Sequence, residues 1–559
     1  NALPLLKRTG PFAPRSDEVG EKEYDDDDDE DEWDYEAPDK IKIDLDKIMY
    51  RQVSIPIDPG SYSNLKAVPG RLFYYYNPYR GLSGKKDDSD RRLMVFDMEE
   101  REEKVFLENL SGYNFSADYE KILIRDGNKY FINKASADKG DKSRGVLDLD
   151  GLEMYLDRKA EYAQIFDECW RRMRDMFYDP NMHGVDWQAM HDLYAELVPH
   201  ASHRFDLIYI IGELIGEVAC SHTYVGGGDY NRPSSDQVAL LGAVIEADSS
   251  AGLYRIGRIF NSVNWDKRLR CPLTEPGVGI EEGEYLFAID GENLDVSINP
   301  YKLLVNKADR MVTLTVGKTP DRDRARNVKI DPIDNEAGLW YHDWVERRRE
   351  IVDSLSEGKI GYIHIPDMGG FGLNMFAKQF YYLYKKQGLI LDVRYNGGGF
   401  VSQLVLDRLR RVVAGMGAGR FDWVGTYPSV AFHGHMACLL NEFSCSDGDI
   451  FPYYFREYGL GPLIGKRSWG GVIGIGGFRP LTDGGYLFVP GGGSFSLEGE
   501  WTMENVGVYP DIEVEQDPKL VMQGRDPQLE KAIDYLLEKI KTEPKTLPDK
   551  PGPPKERGN

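Results

Sequence analysis

The strongest constraint on this chain's fold is a set of apolar runs that each end in a tight polar turn and lead into a helix. Gly361-Tyr362-Ile363-His364-Ile365-Pro366 reads as a buried strand, with a helix from Asn374 to Lys386 after it. Leu389-Ile390-Leu391-Asp392-Val393-Arg394 is the next strand; it ends in Asn396-Gly397-Gly398-Gly399, and a helix from Ser402 to Val413 follows. Met436 to Leu440 is a third strand, and the helix-like run Ile450-Phe451-Pro452-Tyr453-Tyr454-Phe455 comes after Ser444-Cys445-Ser446-Asp447-Gly448-Asp449. Alternating strands and helices of this length call for a mainly parallel sheet covered on both faces. A Ser-Asp-Gly turn between a buried strand and a helix N-terminus can hold a hydroxyl up for attack. Its backbone N–H groups are free to stabilise an oxyanion.

At 559 residues the chain is too long for one core, so several domains are expected. A net charge of −24 argues against nucleic acid as a partner, because phosphate contacts need clustered Lys and Arg. Much of that charge lies in the unbroken acidic run Asp25 to Glu32, which repels itself and reads as a solvated tail. The five cysteines (Cys169, Cys220, Cys271, Cys438 and Cys445) are odd in number and contain no CxxC, which fits neither a disulfide framework nor a zinc site. No run reaches transmembrane length, so no membrane partner is expected. The expected compartment is the cytoplasm. A processed or periplasmic protein is the alternative, because the chain starts at Asn1 rather than Met.

The pattern along the chain predicts a multidomain α+β protein. Residues 1–40 read as a disordered acidic tail and 546–559 as a frayed tail. Residues 41–150 alternate as short strands, among them Gln52 to Ile57, Arg71 to Tyr76, Arg92 to Asp97, Tyr119 to Arg125 and Lys129 to Asn133. This spacing resembles β-propeller blades, in a number too small to close a propeller. Residues 151–236 are helical by periodicity, with Tyr162, Ile165, Phe166 and Cys169 on one face and Ser202 as a cap for the third helix. Within 237–325, Val238 to Ile245 and Glu281-Glu282-Gly283-Glu284-Tyr285-Leu286-Phe287-Ala288-Ile289-Asp290-Gly291 resemble a PDZ module, with Val312 to Val316 as its closing strand. Such a module adds an extended peptide to its sheet edge. Residues 326–545 form the α/β part and end in an amphipathic helix from Gln528 to Lys541.

Two distant strings complete the picture. Ser221-His222-Thr223-Tyr224-Val225-Gly226-Gly227-Gly228-Asp229 and Glu504-Asn505-Val506-Gly507-Val508-Tyr509-Pro510-Asp511 join the Ser446 turn and Asp392-Val393-Arg394-Tyr395-Asn396-Gly397-Gly398-Gly399. Together they resemble the tricorn-type serine peptidases, relatives of the C-terminal processing peptidases, over roughly residues 40 to 540. The resemblance implies Ser446 as nucleophile and His222 as base, with Ser221 as a relay to Glu504. It also implies the Asp447 amide and the glycines Gly397, Gly398 and Gly399 as the oxyanion hole. It further implies oligopeptide substrates, a homo-oligomer, and neither a metal nor an organic cofactor.

Competing readings stay open at this point. A lone histidine is more often structural; His364 lies in an apolar strand and reads as core, while His433 and His435 precede the Ser446 strand. A Ser–Lys dyad needs a desolvated lysine, and Lys466 is the nearest after Ser446. A non-catalytic peptide-binding scaffold built on the PDZ-like module is the alternative from another class.

Overall fold

The computed structural model describes residues 43–78, 91–136, 139–421 and 423–552. The acidic run and both chain ends fall outside these, so the tail expected over 1–40 and half of the one over 546–559 lie outside the described residues. Two compact units divide at Tyr155 and Leu156.

The first unit holds two four-stranded antiparallel sheets. One runs in chain order through β1 (Gly60–Val68), β2 (Arg71–Pro78), β3 (Arg92–Asp97) and β4 (Glu102–Glu108). The other runs through β5 (Gly112–Phe115), β6 (Lys121–Asp126), β7 (Lys129–Lys134) and β8 (Val146–Leu147). Phe73, Leu93, Val95 and Phe106 of the first sheet share a core with Ile122, Ile124 and Phe131 of the second. The Tyr113 hydroxyl donates to the Phe73 carbonyl at 3.0 Å across the junction. The expected strand over Gln52 to Ile57 is not regular; Pro56 has no N–H to give a ladder.

The second unit opens with three helices, α1 (Arg158–Met176), α2 (Trp187–Ala195) and α3 (Arg204–Gly216). The apolar face anticipated on α1 is buried: Tyr162, Ile165, Phe166, Cys169 and Met173. The cap of α3 is His203 rather than Ser202. The His203 ring accepts the Phe205 N–H while Asp206 reaches back to the His203 N–H. A short strand β9 (Tyr224–Gly227) follows.

Next comes a six-stranded antiparallel β module made of β10 (Ala243–Asp248), β11 (Leu253–Ile259), β12 (Tyr285–Ile289), β13 (Glu292–Asn293), β14 (Val312–Gly317) and β15 (Arg326–Ile330). The strand expected to close it, β14, lies inside the sheet between β12 and β15. Its alternate residues Val312, Leu314 and Val316 are all buried in the module's core, which is why a central strand was readable but the more polar β15 was not.

After α4 (Ala337–Leu355) the chain enters the α/β part. Its strands and helices alternate as β16 (Ile360–His364), α5 (Gly370–Leu383), β17 (Gly388–Asp392) and α6 (Ser402–Leu409). A hairpin of β18 (Gly415–Ala418) and β19 (Val424–Tyr427) comes before β20 (His435–Leu440), α7 (Asp447–Glu457) and β21 (Leu463–Gly465). A second antiparallel pair, β22 (Gly474–Pro480) and β23 (Gly485–Gly492), precedes β24 (Ile512–Glu513), α8 (Pro518–Met522) and α9 (Pro527–Thr542). The main sheet has the order β16-β17-β20-β21-β24, and every neighbouring pair is parallel. One face packs on α5, α6 and α7 through Phe376, Phe380, Leu406 and Phe451; the other packs on α4 and α9 through Val345, Leu529 and Leu536. Strand β23 pairs with β9, which draws the segment after α3 toward the α/β part.

Candidate active site

Strands β17 and β20 are parallel neighbours, with Asp392 opposite Leu439. The turns at their C-terminal ends therefore lie side by side, and hydrogen bonds pin them together. Asn441 Oδ1 accepts the Tyr395 N–H at 3.0 Å, and Ser444 Oγ donates to the Val393 carbonyl at 2.8 Å. The Cys445 N–H reaches the Asn396 carbonyl at 2.9 Å. Ser446 sits half-buried at the end of the β20 turn, with φ 58° and ψ −121°, as the residue before α7. A non-glycine residue in that region is strained, and such strain collects at functional sites.

The glycine loop lies against this serine. Gly398 has φ +82°, and a Cβ placed on it would come within 2.6 Å of Ser446 Cβ. The three glycines differ in their amides. The Gly397 N–H donates to the Pro366 carbonyl at 3.1 Å and the Gly398 N–H to Asn396 Oδ1 at 2.8 Å. The Gly399 and Asp447 N–H groups have no partner among the described residues. The Asp447 side chain accepts from the N–H and the Oγ of Ser402, at 3.0 and 2.5 Å, and so anchors the start of α6.

His222 lies in the turn between α3 and β9, with φ 59° and only 7% exposed. Its ring meets the Trp469 ring at 5.7 Å, and the Trp469 N–H donates to the Ser444 carbonyl at 3.0 Å. The imidazole and the Ser446 turn thus border the same short segment. His222 Nδ1 is 2.8 Å from Tyr224 Oη, while Nε2 is buried without a hydrogen-bond partner among the described residues. Burial pushes the imidazole below its ordinary value, and the charge of Glu504 pulls against that.

Glu504 gathers donors instead of touching the ring. Oε1 accepts the Ser221 N–H at 2.7 Å; Oε2 accepts Ser221 Oγ at 2.9 Å and the amides of Val472 at 2.8 Å and Ile473 at 3.2 Å. The Ser221 hydroxyl is spent on Glu504, so the expected relay from Ser221 to the imidazole is not closed in this conformation. The residue on Nδ1 is Tyr224, which sequence reasoning passed over. It stands in the same quoted string as His222, but its contact depends on the left-handed turn at His222.

The competitors lie elsewhere. His364 is buried and bonded to the Arg394 carbonyl at 2.9 Å, a core histidine as expected. His435 stands at the opposite end of β20 from Ser446 and bonds the Glu543 carbonyl at 2.7 Å; His433 precedes it. Lys466 pairs with Glu513 at 2.7 Å and Glu515 at 2.9 Å, which raise its pKa and hold it charged, the opposite of what a Ser–Lys dyad needs. Burial pushes the Cys220 thiol up to about 12 and raises Cys445 as well, so both suit packing better than attack. Among the described residues no three His, Cys, Asp or Glu side chains are grouped to hold a metal ion, and no helix is long and apolar enough to cross a membrane.

Three family models match in chain order. Residues 158–216 match the tricorn protease C1 domain, 239–335 the tricorn protease PDZ domain and 359–514 peptidase family S41. The α/β part with its serine elbow is thus of the S41 peptidase class. Tricorn protease homolog 1 of Streptomyces coelicolor is 34% identical over 524 residues, which cover 91% of this chain and 48% of that protein. The tricorn protease of Thermoplasma acidophilum is 33% identical over 515 residues, 91% of this chain and 47% of its own length. A crystal structure of the tricorn protease superposes with a TM-score of 0.80 at 31% identity, covering 90% of this chain and 49% of that one. The chain belongs to the tricorn-type peptidases, and it spans about half the length of these relatives.

Proposed function

We propose that this chain is a serine peptidase that hydrolyses oligopeptides through an acyl-enzyme. Ser446 Oγ attacks the scissile carbonyl while His222 Nε2 takes its proton. The C–N bond then breaks and the same proton goes to the leaving amine. Water, deprotonated in turn by His222, releases the acyl group and restores Ser446. The Asp447 and Gly399 amides hold the oxyanion, with Gly397 and Gly398 shaping the loop. Glu504, held beside Ser221, supplies the negative charge that favours the imidazolium.

The observations that carry this reading are a strained serine beside amides that have no hydrogen-bond partner among the described residues, and a buried imidazole nitrogen, also without one, that borders the same segment. The carboxylate pairing of Lys466, which keeps it charged, and the S41 match support it over a Ser–Lys dyad or an inert scaffold. On the strength of the tricorn relatives we add a homo-oligomeric assembly, a cytoplasmic setting, and a role for the two four-stranded sheets as propeller blades. The domain limits 41–150, 151–236, 237–325 and 326–545 belong to the same reading.

Peptide hydrolysis and fluorophosphonate labelling test the reading together. The wild-type chain should cleave mixed oligopeptides and take the label at Ser446. Ser446→Ala should do neither, and His222→Ala should lose nearly all turnover, both with an unchanged thermal midpoint. Undiminished cleavage by either variant refutes the assignment.

A further inference from the structure

The imidazole at the centre of the proposed site is oriented by a group outside the serine, histidine and glutamate set. All four donors on Glu504 come from Ser221, Val472 and Ile473, and the hydrogen bond on His222 Nδ1 is to Tyr224 Oη at 2.8 Å. We propose that Tyr224 is the positioning residue for the base: its phenol oxygen accepts Nδ1–H and so selects the tautomer whose Nε2 lone pair can take the Ser446 proton. The inference rests on the reading of His222 as base.

A phenol both donates and accepts, so two arrangements satisfy the 2.8 Å contact. If Oη–H donates to Nδ1, the ring proton sits on Nε2, where it is buried with no acceptor. If Nδ1–H donates to Oη, Nε2 carries only a lone pair. A buried N–H without an acceptor is the rarer and costlier state, so the second arrangement is favoured. It needs somewhere for the phenol proton to point. Tyr224 is 40% exposed, which gives that proton access to water or to a bound peptide.

The strand fixes the phenol. Tyr224 opens β9 opposite Phe488 of β23, and the two rings meet edge to face at 6.3 Å. The titratable neighbours of the pair are Glu504, whose charge reaches the imidazole, and the Cys445 thiol in the serine turn, which burial keeps neutral; Trp469 covers the imidazole from the adjoining segment and carries no charge. Burial raises the phenol above its ordinary value, which keeps it neutral across the working range and able to accept from Nδ1–H in both the imidazole and the imidazolium. A neutral acceptor stabilises the imidazolium less than a carboxylate would, which leaves the base weakly basic and quick to return its proton.

The test uses the full chain and Tyr224→Phe, which keeps the ring against Phe488 and removes only the hydroxyl. The expected result is a kcat lower by ~10- to 100-fold, the worth of one hydrogen bond to a charged group, with KM nearly unchanged. The acid limb of kcat/KM should move to lower pH, because the imidazolium loses its acceptor. A wild-type rate with an unmoved limb, or a loss of activity with the limb in place, overturns the proposal. Nitrogen-15 shifts of selectively labelled His222 in the wild-type chain above pH 8 give a check that needs no variant. A proton on Nδ1 is expected, and a proton on Nε2 overturns it. Ser446→Ala and His222→Ala in the same assay separate the two levels: if they still cleave, the base assignment falls and this inference with it, whereas inactive controls beside a wild-type-like Tyr224→Phe sink this inference alone.

Discussion

Asp449, in the first turn of the helix that Ser446 introduces, accepts the Gly470 N–H at 2.8 Å and so ties that helix to the segment carrying Trp469. The carboxyl is fully buried, and burial pushes its pKa up to about 6 from an ordinary 3.8. The native state therefore holds this proton more tightly than the unfolded chain does. Its contribution to stability is complete below about pH 4 and is lost as pH rises through 6. Asp449→Asn removes that loss while keeping an oxygen for Gly470. The variant should gain on the wild type by about 2–3 kcal/mol between pH 4 and 7. Urea unfolding of both proteins at those two pH values checks it, and parallel curves would contradict the assignment of the slope to Asp449.

Gly398 faces Ser446 with no room for a side chain. A methyl there would stand 2.6 Å from Ser446 Cβ and 3.1 Å from Oγ, on a residue whose φ is +82°. Gly398→Ala should displace the serine by a sizeable fraction of an ångström, and misplacement on that scale costs on the order of 100-fold in turnover. The left-handed backbone adds about 1 kcal/mol of destabilisation. Gly397→Ala is the control, since nothing lies within 4 Å of a Cβ built there. Equal activities in the two variants would contradict this packing.

These particulars show where reading the sequence worked and where it stopped. The strand end, turn and helix start around Ser446 were legible from the local pattern, whereas His222 and the glycine loop were singled out through strings that resemble the tricorn-type peptidases. The parallel sheet was legible because both of its faces are apolar. The hairpin at 415–427 was missed because its strands are short and exposed, with little alternation to read. Tyr224 was missed because its partner is set by a left-handed residue rather than by strand periodicity. The contacts of Arg394 with Asp526, 132 positions away, leave no local trace at all.

Glu504 and Ser221 should separate in their effects. Four hydrogen bonds end on the Glu504 carboxylate, three of them from backbone amides of two different segments. Glu504→Gln turns an amide group toward those donors and should cost about 2–4 kcal/mol of stability. Ser221→Ala removes only the hydroxyl, at about 1 kcal/mol, and because that hydroxyl does not reach the imidazole it should leave turnover within about tenfold of wild type. Thermal unfolding and peptide hydrolysis of the two variants check both halves. A loss from Ser221→Ala as deep as that from His222→Ala would mean that the relay closes during the reaction.

Arg394 stands three residues before Gly397 and is 1% exposed. Its guanidinium bonds Asp392 at 2.7 Å, Asp526 at 2.8 Å and Gln528 at 3.1 Å, and Asp526 in turn caps α9 and pairs with Arg348 at 3.0 Å. The cations hold the Asp526 carboxyl down at about 2, so its contribution is present above pH 4 and fades as pH falls toward 2. Arg394→Met fills similar space but leaves Asp392 and Asp526 buried without this cation. Breaking a buried pair from one side costs about 3–5 kcal/mol at neutral pH. The stranded carboxylates then favour protonation, so the deficit should narrow on acidification from pH 7 to pH 4. A deficit that stays constant across this range would show that lost packing, rather than uncompensated charge, sets the cost.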